Sequence, residues 1–343
     1  MMVNIGDRKI IVDNPYVEIT TKCNLHCPYC FNDSGMQDYN QDMSMDIFKA
    51  ILNELLANKI YNITISGGEP LLHKQIKDFF SMLFENNIKV TLITNGTIYN
   101  NDILDMLVMN DAKVQLTIDG PTESHNSFTR GKKTLSKNQF FINYFRSRNK
   151  IDNIIIRINI SCYSDFDLDQ MIDFLNEMSI ENYYFSYIKD IGRATDCKNA
   201  KDTLLSYVGR LNKLGHIRQK MDHLVGVSFD PKEGCPYASK ALISSPRIDC
   251  QGNIYPCSLF VDSNFILGNI SREGISKTFT GAGIKAFLSY VDEVCSAESC
   301  KKCYIEKICK RCCPAQVNRN TYIDDYCDIR RMIFKCRLRE EFK

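Results

Sequence analysis

Cysteine spacing constrains this chain more than any other feature. The chain has 16 cysteines among its 343 residues, and Cys23, Cys27 and Cys30 form a C-x3-C-x2-C pattern near the start. The first residues show no signal peptide, so we expect a reducing compartment, in which metal ligation explains cysteines better than disulfides do. Zinc ions and iron–sulfur clusters normally take four ligands. Three cysteines on one loop therefore predict a [4Fe–4S] cluster with one iron open to a non-protein ligand.

Charge and hydrophobic content are those of an ordinary globular protein. Lys and Arg together number 43 and Asp and Glu 41, which gives a formal net charge of +2, and 44% of the residues are hydrophobic. This balance argues against a nucleic-acid binder or a disordered chain, and no apolar run reaches the ~18 residues of a membrane span. We therefore expect a cytoplasmic protein of one large and one smaller domain, with no nucleic-acid or membrane partner.

The first two thirds of the sequence alternate between strand and helix patterns. Segments rich in β-branched and aromatic residues alternate with amphipathic helical patterns, which indicates a parallel sheet with right-handed crossovers. Six such units are fewer than the eight of a closed barrel. The sequence therefore predicts an α/β fold: a partial (β/α)6 TIM-like barrel over residues 1–230, followed by a small cysteine-rich domain over residues 231–343. The strand candidates are residues 16–20, 61–65, 89–93, 113–118, 154–160 and 183–188.

Glycine-rich and polar motifs follow the predicted strands. In barrels of this kind, functional groups gather at the C-terminal ends of the strands. The three-cysteine loop follows the first strand, and further motifs follow the second, third and fourth. Their residues are Gly67, Gly68, Glu69 and Pro70, then Thr94 and Asn95, then Thr117 and Asp119, with Arg130 further along.

With Tyr29 at its aromatic position, the three-cysteine pattern resembles the signature of the radical S-adenosylmethionine (SAM) superfamily. The resemblance implies that the open iron binds SAM, and that an electron from the cluster cleaves SAM to a 5′-deoxyadenosyl radical, which abstracts a substrate hydrogen. It also implies that Tyr29 packs near the adenine and that the motif from Gly67 to Pro70 supports the methionine amino group, with Glu69 meeting the ammonium. The later strand-end residues, Thr94, Asn95, Thr117, Asp119 and Arg130, resemble further SAM contacts.

The cysteines of the last third resemble the SPASM extension of that superfamily. They form C-x2-C-x5-C-x3-C from Cys300 to Cys313, with Gly252-x4-Cys257 upstream. The x5 and x3 spacings argue against a zinc ribbon, which needs two paired knuckles. The resemblance implies two auxiliary [4Fe–4S] clusters and three clusters in all. Its implied ligands are Cys235, Cys257 and Cys313 for the first auxiliary cluster, and Cys300, Cys303, Cys309 and Cys327 for the second.

The first auxiliary cluster is one ligand short in this scheme. Either Cys250 completes it, or the position is open to a substrate thiolate. The remaining cysteines, taken one at a time, are expected to be inert buried thiols. Cys312 and Cys250 are also candidates for a hydrogen-atom donor or a further ligand. The cysteines outside every ligand set are Cys162, Cys197, Cys295, Cys312 and Cys336.

The resemblance implies an enzyme that matures a peptide or protein by thioether or carbon–carbon cross-linking or by epimerisation. It also implies an electron donor such as flavodoxin or ferredoxin. Few residues precede the first predicted strand, so we expect a leader peptide to be recognised by a separate leader-binding protein or by the SPASM region, unless the substrate has no leader. The alternatives are oxidation of a sugar or tetrapyrrole, an electron carrier, and anaerobic sulfatase maturation. The last is disfavoured because Ser258 and Ser66 stand where an Asp and a Gln are expected.

Overall fold

The computed structural model describes residues 1–5, 8–36, 40–188, 191–196, 200–213, 237, 243–306, 314–315, 327, 330–332 and 334–335. Within these residues, no helix is both long and apolar enough to cross a membrane. The predicted domain boundary near residue 230 lies outside the described residues and stays a prediction. The first part of the chain forms strands β1 (Met2–Ile5), β2 (Arg8–Val12), β3 (Tyr16–Glu18), β4 (Asn62–Ser66), β5 (Lys89–Thr94), β6 (Lys113–Thr117), β7 (Ile154–Ile160) and β8 (Tyr183–Tyr187).

Strands β3 to β8 lie side by side in chain order, and every neighbouring pair is parallel. The predicted partial barrel is thereby confirmed, with strand ends that differ from the predicted ones by at most two residues. Helices lie between these strands, as the amphipathic patterns predict, and one more, α4, forms where the sequence showed no apolar stripe. The helices of this part are α1 (Met45–Ala57), α2 (Ile76–Glu85), α3 (Asn101–Met109), α4 (Glu123–Arg130), α5 (Thr134–Arg146), α6 (Leu168–Glu177) and α7 (Ala200–Lys213).

The helices bury their apolar faces against the outside of the sheet. In α1, Phe48, Ile51 and Leu55 are buried, and Ser44 caps the helix by accepting a hydrogen bond from the amide of Ile47. The Phe48 ring stacks on Phe79 of α2 with centroids 3.8 Å apart. The inward faces of the strands carry polar side chains instead, and they surround a cavity. Alternation along each strand therefore separates a packed outer face from an open interior.

Short strands from the second part of the chain extend the barrel sheet. β10 (Arg247–Ile248) pairs in parallel with β3, and β11 (Asn253–Tyr255) and β12 (Gly268–Asn269) follow it as antiparallel neighbours. The β1–β2 hairpin, formed by residues that the sequence analysis placed before the first strand, pairs with β9 (Ile243–Ser244). The helices of this part are α8 (Gly274–Thr278), α9 (Ala282–Cys295) and α10 (Glu298–Lys301).

A buried ion pair joins the barrel to this extension. Arg247 donates from Nη2 to Glu18 Oε2 at 2.6 Å and from Nη1 to the carbonyl of Phe260 at 3.1 Å. The amide of Asn32, just beyond the three-cysteine loop, donates to the other oxygen of Glu18 at 2.6 Å. Both charged side chains are almost fully buried. The network therefore connects the loop, the first barrel strand and the sheet extension.

Removing one partner of this pair will destabilise the protein strongly. Arg247→Met leaves the Glu18 carboxylate buried without its cation, and such losses cost about 3–5 kcal/mol. The exposed Arg8–Asp292 pair is the matched control, because Arg8→Met removes a solvent-screened contact worth about 0–1 kcal/mol. Urea unfolding midpoints, followed by circular dichroism, compare the two. Equal midpoints for the two variants would contradict the role given to the buried pair.

Candidate active site

A cavity of about 700 Å³ opens at the C-terminal ends of the barrel strands. Cys23, Cys27 and Cys30 all line it, as the strand-end rule predicted. Seven of the ten residues predicted to contact SAM also line it, while Glu69, Pro70 and Asp119 are not among the lining residues. The seven are Tyr29, Gly67, Gly68, Thr94, Asn95, Thr117 and Arg130.

The three-cysteine loop is fixed on its barrel side by amide side chains. Asn24 donates to Thr97 Oγ1 at 2.8 Å, and Asn95 donates to Asn24 Oδ1 at 2.9 Å. The Cys23 sulfur accepts from the amide of Leu25 at 3.4 Å. Burial raises the pKa of the Cys27 thiol to about 11. A buried thiol of this kind becomes a thiolate readily only when a metal or cation compensates its charge, which suits a cluster ligand.

On its other side, the loop is held by Arg193, which the sequence analysis missed. Its Nε donates to the carbonyl of Cys27 at 3.0 Å, and both terminal nitrogens donate to the carbonyl of Ser34 at 3.1 Å. The neighbouring Gly192 has φ +63°, and a Cβ there would lie 2.5 Å from the carbonyl oxygen of Cys30. The sequence did contain a signal for Arg193, because Gly192 and Arg193 follow the last barrel strand just as the other motifs follow the earlier strands.

Gly67 and Gly68 bring the end of β4 against the chain that enters the cysteine loop. The amide of Gly68 donates to the carbonyl of Thr20 at 2.8 Å, and the next amide donates to the carbonyl of Lys22 at 2.7 Å. A Cβ on Gly68 would lie 2.2 Å from that Lys22 oxygen. Only glycine permits this approach.

Glu69 is fully buried and its carboxylate is held by protein donors. It accepts from the hydroxyl of Thr94 at 2.7 Å, the amide of Asn95 at 2.7 Å and the amide of Leu71 at 3.1 Å. Burial raises the pKa of this carboxyl group. The observed role of Glu69 is thus to join the ends of β4 and β5. The predicted contact with the SAM ammonium group stays a prediction.

Tyr29 connects the cysteine loop to the end of β6. Its hydroxyl donates to Asp119, which also accepts from Thr129 Oγ1 at 2.5 Å and from the amide of Asn159 at 3.2 Å. Burial raises the pKa of Tyr29 well above its usual value, so the phenol stays a neutral donor. Asp119 is therefore a buried support for the cavity wall.

The cavity suits a cofactor of the size and chemistry of SAM. Its volume falls within the range of cofactor pockets. Arg130 Nε and Asn159 Oδ1 are buried without a hydrogen-bond partner, and both residues line the cavity. An unpaired donor and an unpaired acceptor on residues that line the cavity fit a ligand with both carboxylate and hydroxyl groups. The cavity and its two orphaned atoms therefore fit SAM beside a cluster held by the three cysteines.

The second set of cysteines is only partly within the described residues. Cys257, Cys300, Cys303 and Cys327 are described and partly buried. Cys250 is buried, its thiol donates to Gln41 Oε1 at 3.6 Å, and burial raises its pKa to about 12. Where the chain is described, no three Cys, His, Asp or Glu side chains group tightly enough to hold a single metal ion. Outside the described residues lie Cys197, Cys235, Cys309, Cys312, Cys313 and Cys336.

One expectation for the spare cysteines is wrong. Cys162, which follows β7, is disulfide-bonded rather than an inert free thiol. Cys295 at the end of α9 is buried, as expected, and is not disulfide-bonded.

Two cavity residues bear on the choice of reaction. Ser66 lines the cavity beside Gly67 and shares a hydrogen bond with the hydroxyl of Tyr16 at 2.6 Å. Ser258 and Leu259, which directly follow Cys257, form part of the wall contributed by the second part of the chain. The two positions at which we expect a Gln and an Asp in sulfatase maturases thus line the cavity.

Comparisons with known proteins agree with this geometry. The radical SAM superfamily model matches residues 17–175, and the model of the SPASM iron–sulfur cluster-binding domain matches residues 240–313. The antilisterial bacteriocin subtilosin biosynthesis protein AlbA of Bacillus subtilis (strain 168) is 22% identical, over 89% of this chain and 68% of its own length.

A cysteine-type anaerobic sulfatase-maturating enzyme of Clostridium perfringens (strain 13 / Type A) is 26% identical, over 91% of this chain and 92% of its own. The solved structure of native anSMEcpe with bound AdoMet and Kp18Cys peptide superposes with a TM-score of 0.76 at 17% identity, and covers 96% of this chain and 98% of its own. This chain belongs to the radical SAM superfamily and is an enzyme of the group that carries a SPASM iron–sulfur domain.

Proposed function

We propose that this enzyme modifies a peptide or protein, either by cross-linking or by epimerisation of a residue. The observation that carries the proposal is the composition of the cavity wall. The three-cysteine loop forms one part of it, and Ser258, next to the auxiliary ligand candidate Cys257, forms another. A substrate in this cavity would thus lie between the SAM-binding site and the auxiliary cysteines, where it could be oxidised after a hydrogen is removed.

Cluster and SAM binding are assigned to particular residues in this proposal. Cys23, Cys27 and Cys30 hold the cluster that binds SAM, and the other predicted cysteines hold two auxiliary [4Fe–4S] clusters. When bound, the cluster and SAM supply a 5′-deoxyadenosyl radical that removes a substrate hydrogen. The chain itself orients SAM through the Gly67–Gly68 backbone and Arg130, and the loop contacts of Asn24, Asn95 and Arg193 hold the cluster ligands in place.

The peptide substrate is supported by what the similar proteins act on or bind. One takes part in biosynthesis of the bacteriocin subtilosin, and another was solved with a bound peptide. We propose an electron donor such as flavodoxin or ferredoxin, and a separate leader-binding protein or the SPASM region for recognition of any leader. Sulfatase maturation is disfavoured because Ser258 offers a hydroxyl where a carboxylate base is expected.

The test is a mass spectrum of a candidate substrate. The short peptide encoded beside this gene is incubated anaerobically in D2O with reconstituted enzyme, SAM and reductant. Loss of two hydrogens is the expected result for a cross-link, and gain of one deuterium at Cα is the expected result for epimerisation. A peptide with a cysteine-type sulfatase motif, run in parallel, should stay unchanged.

The negative outcomes are equally specific. An unchanged peptide with continued formation of 5′-deoxyadenosine would contradict the peptide proposal and favour a small-molecule substrate. Formation of formylglycine in the peptide with the sulfatase motif would instead support sulfatase maturation as the function. Enzyme lacking all three loop cysteines is the control for changes that do not depend on SAM cleavage.

A further inference from the structure

The charged side chains that line the cavity are all cations. Among the lining residues within the described part of the chain, Arg130, Arg157 and Arg193 are charged, and none is Asp, Glu, Lys or His. Arginine keeps its proton under all conditions that proteins experience, so the three charges persist. The charged side chains on the cavity surface are therefore all positive, while the carboxylates of Glu69 and Asp119 lie buried behind it.

Two of these arginines are engaged around the cysteine loop. Arg193 is held by the carbonyls of Cys27 and Ser34. Arg130 donates to the carbonyl of Asn95 at 3.4 Å and interacts electrostatically with the Asp119 carboxylate. Both lie on the side of the cavity that we assign to the cluster and SAM.

Arg157 lies deeper in the barrel, three residues before the end of β7, and within the described residues it forms no ion pair. It stands on β7 opposite Thr117 of β6 and Tyr184 of β8. Its Nη2 donates to Ser186 Oγ at 3.2 Å, and its Nε is buried and has no hydrogen-bond partner among the described residues. A guanidinium inside a barrel is costly unless an anion pairs with it, and its planar fork matches a carboxylate.

We propose that Arg157 binds a carboxylate group of the substrate, which is either an Asp or Glu side chain or the C-terminus of a peptide. The inference rests on the proposed function in taking the substrate to be a peptide. The hydroxyl of Tyr184, which donates to Gln115 Oε1 at 3.1 Å, adds a polar group on the same inward face.

The position of Arg157 suits an anchor below the reacting atoms. Asn159, two residues further along β7, belongs to the buried network of Tyr29 and Asp119 beside the cysteine loop. Two residues of a strand span about 6.6 Å. If a substrate carboxylate binds Arg157, the substrate carbons a few bonds from that carboxylate therefore lie between this arginine and the cysteine loop.

The experiment is a binding measurement on the SAM-loaded, cluster-reconstituted enzyme. Ligand-observed NMR compares Ac-Ala-Glu-Ala-NH2 with Ac-Ala-Gln-Ala-NH2, and Ac-Ala-Ala-Ala-OH with its C-terminal amide. We expect the enzyme to bind at least one acidic member about tenfold more tightly than its neutral partner, a typical effect of a charged hydrogen-bonded pair. Which pair responds tells whether the carboxylate comes from a side chain or from the C-terminus.

Arg157→Gln should abolish this preference and leave the affinity for SAM unchanged. Arg148→Gln, which removes an arginine on the outer surface, should retain it. Arg157→Lys keeps the charge without the fork and should retain a few-fold preference, which gives a second variant if the Gln variant does not fold.

Three outcomes would overturn the inference. They are equal binding of both members of each pair by the unmodified enzyme, a preference that survives in Arg157→Gln, and a folded Arg157→Gln enzyme that no longer binds SAM. The last would assign the arginine to the cofactor. Because the readout is binding, it is independent of the mass spectrum: a carboxylate preference without any modified peptide would refute the peptide proposal and leave the anion site standing.

Discussion

Replacement of Cys23, Cys27 and Cys30 by alanine together will reduce 5′-deoxyadenosine formation to the uncatalysed background. The three thiols line one cavity and are the only cysteines among its described lining residues. Their loop is held mainly by contacts that do not involve sulfur, such as Asn24 with Thr97 and Arg193 with the carbonyl of Cys27. The variant should therefore remain folded, lose the iron of one cluster and keep the iron of the auxiliary clusters.

Two measurements test this prediction. Iron and sulfide analysis gives the cluster content, and liquid chromatography gives the amount of 5′-deoxyadenosine formed. Cys295→Ala is the matched control, because it removes a buried thiol from α9 outside the cavity and should change neither quantity. Continued production of 5′-deoxyadenosine by the triple variant would refute the assignment of the SAM-binding cluster. Loss of all iron would instead show that the auxiliary clusters depend on this loop.

The barrel could be predicted because its signals are local and repeated. Each barrel strand either carries four or more apolar or β-branched residues or lies between clear turn residues. Each crossover helix except α4 has an apolar stripe. Helix α4 lacks one, since its single large apolar residue, Phe128, is exposed. Strands β9 to β12 have two or three residues each, too few for a period of two to be visible. Strands β10 to β12 extend outward from the edge that β3 provides, and β9 pairs with β2.

The candidate site was predictable where a motif follows a strand and not where a partner is distant in sequence. The cysteine loop and the two glycines reached the same cavity as expected. The bond from Arg193 to the Cys27 carbonyl joins residues 166 positions apart, and no local pattern encodes it. Glu69 shows a related limit, because the sequence gives the carboxylate but not the protein donors that surround it.

Gly68→Ala will impair SAM binding and stability together, because the methyl group has no space. Its Cβ would lie 2.2 Å from the carbonyl oxygen of Lys22 and 2.9 Å from that of Thr21. Both obstacles are backbone atoms, so no side-chain rotation relieves the clash, and the chain entering the cysteine loop has to move. That movement strains the hydrogen bonds that Thr20 and Lys22 accept from this turn.

The displacement then reaches the reacting groups, since Cys23 directly follows Lys22. Overpacking of this kind costs about 1–3 kcal/mol or more, and a shift of about 1 Å in a positioned group can lower the rate about 100-fold. We expect a lower unfolding midpoint, a weaker affinity for SAM and about 100-fold slower 5′-deoxyadenosine formation. Gly281→Ala is the control, because its φ of −79° suits alanine and its closest contact, 3.0 Å to the carbonyl oxygen of Lys277, requires a much smaller displacement than the 2.2 Å contact at Gly68. If Gly68→Ala bound SAM as tightly as the unmodified enzyme, the close approach of these two segments would not be what holds the cofactor site together.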